Sequence, residues 1–151
     1  MPFWHSRPHS LKTGNEAAGI SNIPDGAFAG WETFAAGRVR LVPREGETDQ
    51  FIELEGTPHW VLEVVSDSSV RKDTQQLLQA YHRAGIPEYW LIDARGAEID
   101  FQILWHQPQG YTAAPRRGRW QRSRVFRRRF RLVRRRDRIG LWHYQLQIKP
   151  V

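Results

Sequence analysis

The sequence predicts an α/β fold: a mixed central sheet with one crossover helix and extra strands toward the C-terminus. Three observations carry this. "HWVLEVVS" (59–66) is apolar on both faces apart from one acid, the pattern of a central strand covered on both sides. A helical pattern follows, with Leu77, Leu78, Tyr81 and Ala84 on one face, opened by the N-cap candidates of "SDSSVRKD" and stopped by Gly85 and Pro87. "EYWLID" (88–93) then reads as strand again, so strand, helix and strand form a crossover unit whose two strands are parallel.

The flanks are read in order. Residues 1–22 have no sustained period and are expected to form a poorly ordered leader, with 23–151 as one domain. "IPDGAFAGWETF" (23–34) opens on turn residues and continues as a short strand with Phe28, Trp31 and Phe34. "GRVRLV" (37–42) and "QFIELEG" (50–56) alternate with a period of two and pair antiparallel around "PREGETD". After the turn "ARGAE", "IDFQILWH" (99–106) returns as a hairpin partner. The remaining "GYTAAP", "RWQRSRVFRRRFRLV" and "IGLWHYQLQI" give a strand or two, then a terminal strand near 139–148.

Composition narrows the function classes. No run reaches the roughly 18–20 apolar residues of a membrane span, and the N-terminus lacks the apolar stretch of a secretory signal, so the expected location is cytoplasmic, away from membranes. With no cysteine, disulfides and thiolate metal sites are excluded, and any metal must sit on carboxylate or imidazole ligands. The net charge of +7 is local: residues 116–138 hold 13 of the 23 basic side chains and one of the 16 acids, which leaves ten basic and fifteen acidic elsewhere. A cluster of this kind is an electrostatic footprint for phosphate.

Glu63, inside the apolar strand, poses the sharpest question, because a buried carboxylate is costly unless paired, hydrogen-bonded or bound to a cation. It either meets an Arg or backbone amides at the sheet end, or it holds a hard metal. Mg²⁺ needs only one or two carboxylates beside water and phosphate oxygens. Asp25, just after Pro24 at the mouth of a strand, is the best second ligand, ahead of Glu55 and Asp73. His59 lies four residues before Glu63, about 13 Å along a straight strand, too far to share one ion with it. The arginine segment reads either as a charged edge strand or as a nucleic-acid-binding face built from Arg116, Arg117, Arg119, Arg122, Arg124, Arg127, Arg128 and Arg129. Trp120, Phe126, Phe130 and Trp142 are interleaved with it, some as core and some as rings for stacking unpaired bases.

The stretch "GTPHWVLEVVSDSSVRKD…YHRAGIPEYWLIDARG" resembles the Uma-two family of restriction-type endonucleases, within the PD-(D/E)XK nuclease superfamily. The matching core covers 56–96, with "PDGAFAGWE" and "RSRVFRRRFRL" as flanks. The resemblance implies a restriction-endonuclease-like fold and Mg²⁺- or Mn²⁺-dependent hydrolysis of phosphodiester bonds in DNA. It implies Asp25 and Glu63 as the metal ligands and Lys72, at the start of the helix, as a charge stabiliser. Two positions depart from the family pattern: His59 stands where an acid commonly follows Pro58, and Leu77 stands where many members carry Lys. By analogy, double-strand cleavage implies a homodimer. A catalytically degenerate nucleic-acid-binding or interaction module on the same fold is the alternative.

Overall fold

Alternation along the strands assigns every side chain to one of two faces, and the two faces of one central sheet organise the chain. The computed structural model describes residues 12–15, 20–46, 49–68 and 75–151. Its elements run β1 (Lys12–Asn15), β2 (Ile20–Asn22), β3 (Gly26–Phe28), α1 (Trp31–Ala35), β4 (Val39–Pro43), β5 (Phe51–Gly56), β6 (Trp60–Val64), α2 (Leu77–Arg83) and β7 (Glu88–Asp93). There follow β8 (Asp100–Gln107), β9 (Gly110–Ala113), β10 (Arg116–Arg117), β11 (Trp120–Ser123), β12 (Arg128–Arg136) and β13 (Trp142–Pro150).

The central sheet has the order β3-β6-β7-β8-β9. β6 and β7 are parallel, from Trp60 opposite Glu88 to Val64 opposite Ile92, and the other pairs are antiparallel. α2 makes the expected crossover. Its Leu77 and Tyr81 bury against Val61, Val65, Ile86, Tyr89, Leu91 and Leu104 on one face of the sheet. The other face presents Trp60, Trp90, Phe101, Ile103 and Trp105 to Phe130 of β12, so a C-terminal sheet of order β10-β11-β12-β13 lies on it. Trp90 and Phe130 meet edge to face with centroids 4.7 Å apart, and truncating such a core ring costs about 3–5 kcal/mol. The predicted mixed sheet, crossover helix and extra C-terminal strands are therefore present.

Two expectations are corrected. Within the stretch expected to be a leader, β1 pairs parallel with β5 and antiparallel with β2, in a sheet of order β2-β1-β5-β4. "KTGN" and "ISN" are too short and polar to show a period, and only backbone pairing, of β1 with β5 and of β2 with β1, makes them strands. Trp31 and Phe34 are not strand residues but lie three apart on α1, with ring centroids 5.9 Å apart. Among the described residues no helix is long and apolar enough to cross a membrane.

Candidate functional site

The candidate acids lie at one end of the β3–β6 pair. The antiparallel register sets Gly26 opposite Leu62, and Asp25 immediately precedes β3. Asp25 Oδ2 accepts a hydrogen bond from Val64 N–H at 2.8 Å, which fixes the carboxylate beside the backbone next to Glu63. Gly26 permits this approach. A Cβ there would come within 3.2 Å of the Trp60 ring and 3.4 Å of Leu62 Cβ, so a larger residue would require those side chains to give by a few tenths of an ångström.

Glu63 is 5% exposed and points to the α2 face. Its Oε1 accepts from the Tyr81 hydroxyl at 2.5 Å and from Asn22 Nδ2 at 2.9 Å, and the same Asn22 nitrogen lies 2.9 Å from the Tyr81 oxygen. Burial first, and then the neighbouring Glu63 charge, push the Tyr81 hydroxyl far above its ordinary pKa, so it stays a donor. On the same face, at the end of β7, Asp93 is engaged in a two-point contact with Arg95, 2.9 Å from Nε and 2.7 Å from Nη2. The Arg95 hydrogen bonds hold its carboxyl below the usual range, and Arg95 reaches on to Asp67 at 3.2 Å.

The other predicted residues separate. Lys72 and Asp73 lie outside the described residues. Glu55 is on β5, bound to Arg40 Nε at 2.7 Å, in a different sheet. His59 precedes β6, at the end opposite Glu63. Gly30 N–H donates to its Nδ1 at 3.1 Å and Thr33 Oγ1 lies 3.0 Å from Nε2, so the ring fastens α1 to the sheet. Leu77 is buried in the α2 core.

The arginines divide by strand alternation. Registers that oppose Arg117 with Trp120, Arg122 with Arg129, and Arg129 with Lys149 place these side chains, with Arg131 and Arg135, on the outer face of the C-terminal sheet. Arg122, Arg129 and Lys149 thus form a row of three cations across β11, β12 and β13, an arrangement that like-charge repulsion disfavours unless an anion covers it. The remaining candidates act elsewhere. Arg116 donates to Phe101 C=O at 3.4 Å, Arg119 pairs with Glu98 at 3.4 Å, and Arg124 lies 3.7 Å over the Trp105 ring. Arg127 occupies a turn with φ of 52°, and Arg128 faces the apolar groove under β13. The stacking expectation also changes. Phe126 and Phe130 belong to the core, whereas Trp120 carries Arg131 and Lys149 over its ring at 4.7 and 4.4 Å. Trp142 is likewise covered by Arg134 and Arg136 at 4.3 and 4.6 Å. These contacts favour phosphate over bases.

Sequence reading missed Asn22 and Tyr81 as partners of Glu63, because Asn22 sat in the supposed leader and Tyr81 counted as apolar. It also missed Arg131, Arg135 and Lys149, although the period-two spacing of 129, 131 and 135 was available. A second buried acid escaped notice altogether. Glu88, 0% exposed, faces the C-terminal sheet and accepts from Trp90 Nε1 and Ser123 Oγ, both at 2.6 Å, and from the N–H groups of Arg124 at 2.8 Å and Val125 at 3.4 Å.

No curated protein matches the chain. The Uma2 family model, described as "Putative restriction endonuclease", matches residues 22–134, from the asparagine that contacts Glu63 to the middle of β12. With more than half its length matched, including Asp25 and Glu63, the chain belongs to the Uma2 family, in the restriction-endonuclease-like PD-(D/E)XK superfamily.

Proposed function

We propose that this protein is a divalent-metal-dependent DNA endonuclease. The observation that carries the reading is the Asp25 carboxylate held on the N–H of Val64, the residue after Glu63, inside the family-matched segment. Two carboxylates and the adjacent Val64 carbonyl are hard oxygen donors, the set Mg²⁺ or Mn²⁺ takes beside water and phosphate oxygens. Bound there, the ion would acidify water and neutralise charge developing on the phosphoryl oxygens. Tyr81 and Asn22 keep Glu63 oriented, and Val64 N–H does the same for Asp25. The reaction forms a bond from the water oxygen to phosphorus and breaks one ester P–O bond, the sugar oxygen leaving as a hydroxyl. Lys72 is the candidate for charge stabilisation, and the outer-face cations hold backbone phosphates.

A second reading is a nucleic-acid-binding module that keeps the nuclease fold without turnover. Leu77, buried in the α2 core where many members carry Lys, and His59 serving as a fastener favour it. So does the layer order, since Glu63 faces α2 while the cation row lies beyond the C-terminal sheet, on the other side of the central one. One experiment separates the two. The purified protein is incubated with supercoiled plasmid at low salt, with Mg²⁺, Mn²⁺ or chelator, beside Glu63→Gln and Asp25→Asn. Metal-dependent nicking absent from both variants supports the enzyme. Salt-sensitive DNA retention without nicking supports the module, because phosphate contacts weaken steeply as salt rises. Neither activity removes both.

A further inference from the structure

Among the large apolar side chains that stand exposed, Ile139, Leu141, Trp142, Tyr144, Leu146, Ile148 and Val151 all come from the last thirteen residues, with exposures from 41% to 81%. They belong to or flank β13, which lies at the edge of its sheet and among the described residues pairs only with β12. Soluble monomers rarely leave so contiguous an apolar patch open, and a long flat edge strand without a bulge is a template for further pairing. The backbone sharpens this. Asp137 N–H donates to Leu141 C=O at 2.9 Å, so 137 and 141 form a hydrogen-bonded pair, and alternation along the ladder turns the odd residues of β13 toward β12. The N–H and C=O groups of Trp142, Tyr144, Leu146 and Ile148 therefore point to the free edge. Their side chains share the face that borders a groove of about 520 Å³ lined by Leu62, Ile92, Leu132, Leu146 and Ile148.

We infer that β13 pairs antiparallel with β13 of a second copy of this chain, about a two-fold axis at Gln145. In that register Tyr144 meets the partner's Leu146, Trp142 meets the partner's Ile148, and Gln145 meets its own mate, so apolar groups oppose apolar groups and amide opposes amide. Charge selects the occupant. The only basic side chains of β13 are His143 and Lys149, and this register sets His143 opposite Gln147 and Lys149 opposite Leu141 of the second copy, so no like charges meet. Arg128, Arg134 and Arg136, which border the groove and the Trp142 ring, lie on β12, one strand in from the shared edge, and the edge itself complements its own copy. Isologous contacts of this kind close after two copies. The resulting sheet would carry the outer basic face of both copies on one side. This inference stands apart from the nuclease reading.

The test uses the 151-residue chain, which has no cysteine. Sedimentation should give twice the chain mass of 17.7 kDa, with a dissociation constant at or below about 10 μM. In Gln145→Cys the new thiol and its mate fall about 4.5 Å apart between Cα atoms, within disulfide range. Mild oxidation should then give a covalent dimer, whereas Val133→Cys, one strand inward and about 14 Å from its mate, should not. Tyr144→Pro removes only an edge-facing N–H and should leave a folded monomer. A monomer at every concentration overturns the inference, whether residues 1–11 or another protein then cover the groove. A dimer that survives Tyr144→Pro while Gln145→Cys fails to cross-link overturns it too. If Tyr144→Pro does not fold, the two cysteine variants decide.

Discussion

Two buried carboxylates on neighbouring parallel strands, Glu63 and Glu88, show that an acid in an apolar strand has no single meaning. Glu88 faces the C-terminal sheet and has both oxygens met by donors from β7 and the β11–β12 turn, so it ties one sheet onto the other. Glu63 faces α2, has Tyr81 and Asn22 on one oxygen, and precedes the Val64 N–H from which Asp25 accepts. Composition of the strand is similar in both cases. What differs is the neighbour: hydroxyl, indole and backbone N–H donors around Glu88 solve a folding problem, whereas Glu63 has a second acid bound to the adjacent backbone, the setting in which we propose a cation.

The comparison breaks most visibly at Glu88. Glu88→Ala strands buried donors and should cost about 3–5 kcal/mol, read as a lower denaturation midpoint, with or without Mg²⁺. Glu63→Gln should instead keep most of the stability and lose at least about 100-fold in nicking, a barrier change of about 2.7 kcal/mol. Mg²⁺ should raise the melting temperature of the unaltered chain and not that of Glu63→Gln, since only the native state holds the ion. Equal unfolding by both substitutions would make Glu63 a second Glu88.

The outer face supplies a smaller effect. Alanine at Arg122, Arg129 or Lys149 should each lower the slope of log affinity against log salt by about one, measured by fluorescence anisotropy on duplex DNA. Arg134→Ala is the contrast. Its guanidinium is engaged by the carbonyls of Ala94 at 2.8 Å and of Gly96 and Ala97 at 2.6 Å, so it should lose stability and leave the slope unchanged. Tyr81→Phe removes one donor from Glu63 and should cost about 1 kcal/mol, with nicking reduced far less than in Glu63→Gln.

The smallest effect is acid loosening of the β12–β13 turn. Asp137 accepts from His143 at 2.8 Å and from the N–H groups of Ile139 and Leu141 at 2.9 Å, and these contacts, His143 first, hold its pKa below the ordinary value. A depressed carboxyl stabilises the fold above its unfolded pKa, about 3.9, and that contribution disappears as pH falls through the folded value. Amide protection in the turn should therefore drop below about pH 4, and the drop should be absent in Asp137→Asn.

Much of the fold was legible. The crossover unit could be read because an apolar run, a 3.6-residue period and a second apolar run differ plainly in pattern, and the hairpin after β7 followed from a turn between two such runs. The short strands β1 and β2 could not be read, because they are held by backbone pairing, β1 with β5 and β2 with β1, and not by a pattern in their own residues. At the site, the Pro24-Asp25-Gly26 stretch and the lone acid in "VLEVV" were visible, since both break local composition.

By itself the sequence determined that β6 and β7 are buried strands joined through a helix, that positive charge is concentrated in 116–138, and that any metal must sit on oxygen or imidazole. Tertiary structure alone decided that Asp25 binds the backbone next to Glu63, which arginines share a face, and which aromatic rings already carry cations. The physical reason is the same throughout. Periodicity fixes the direction of a side chain relative to its own strand, whereas its partner across the ladder depends on register between segments distant in the chain, which no local pattern encodes.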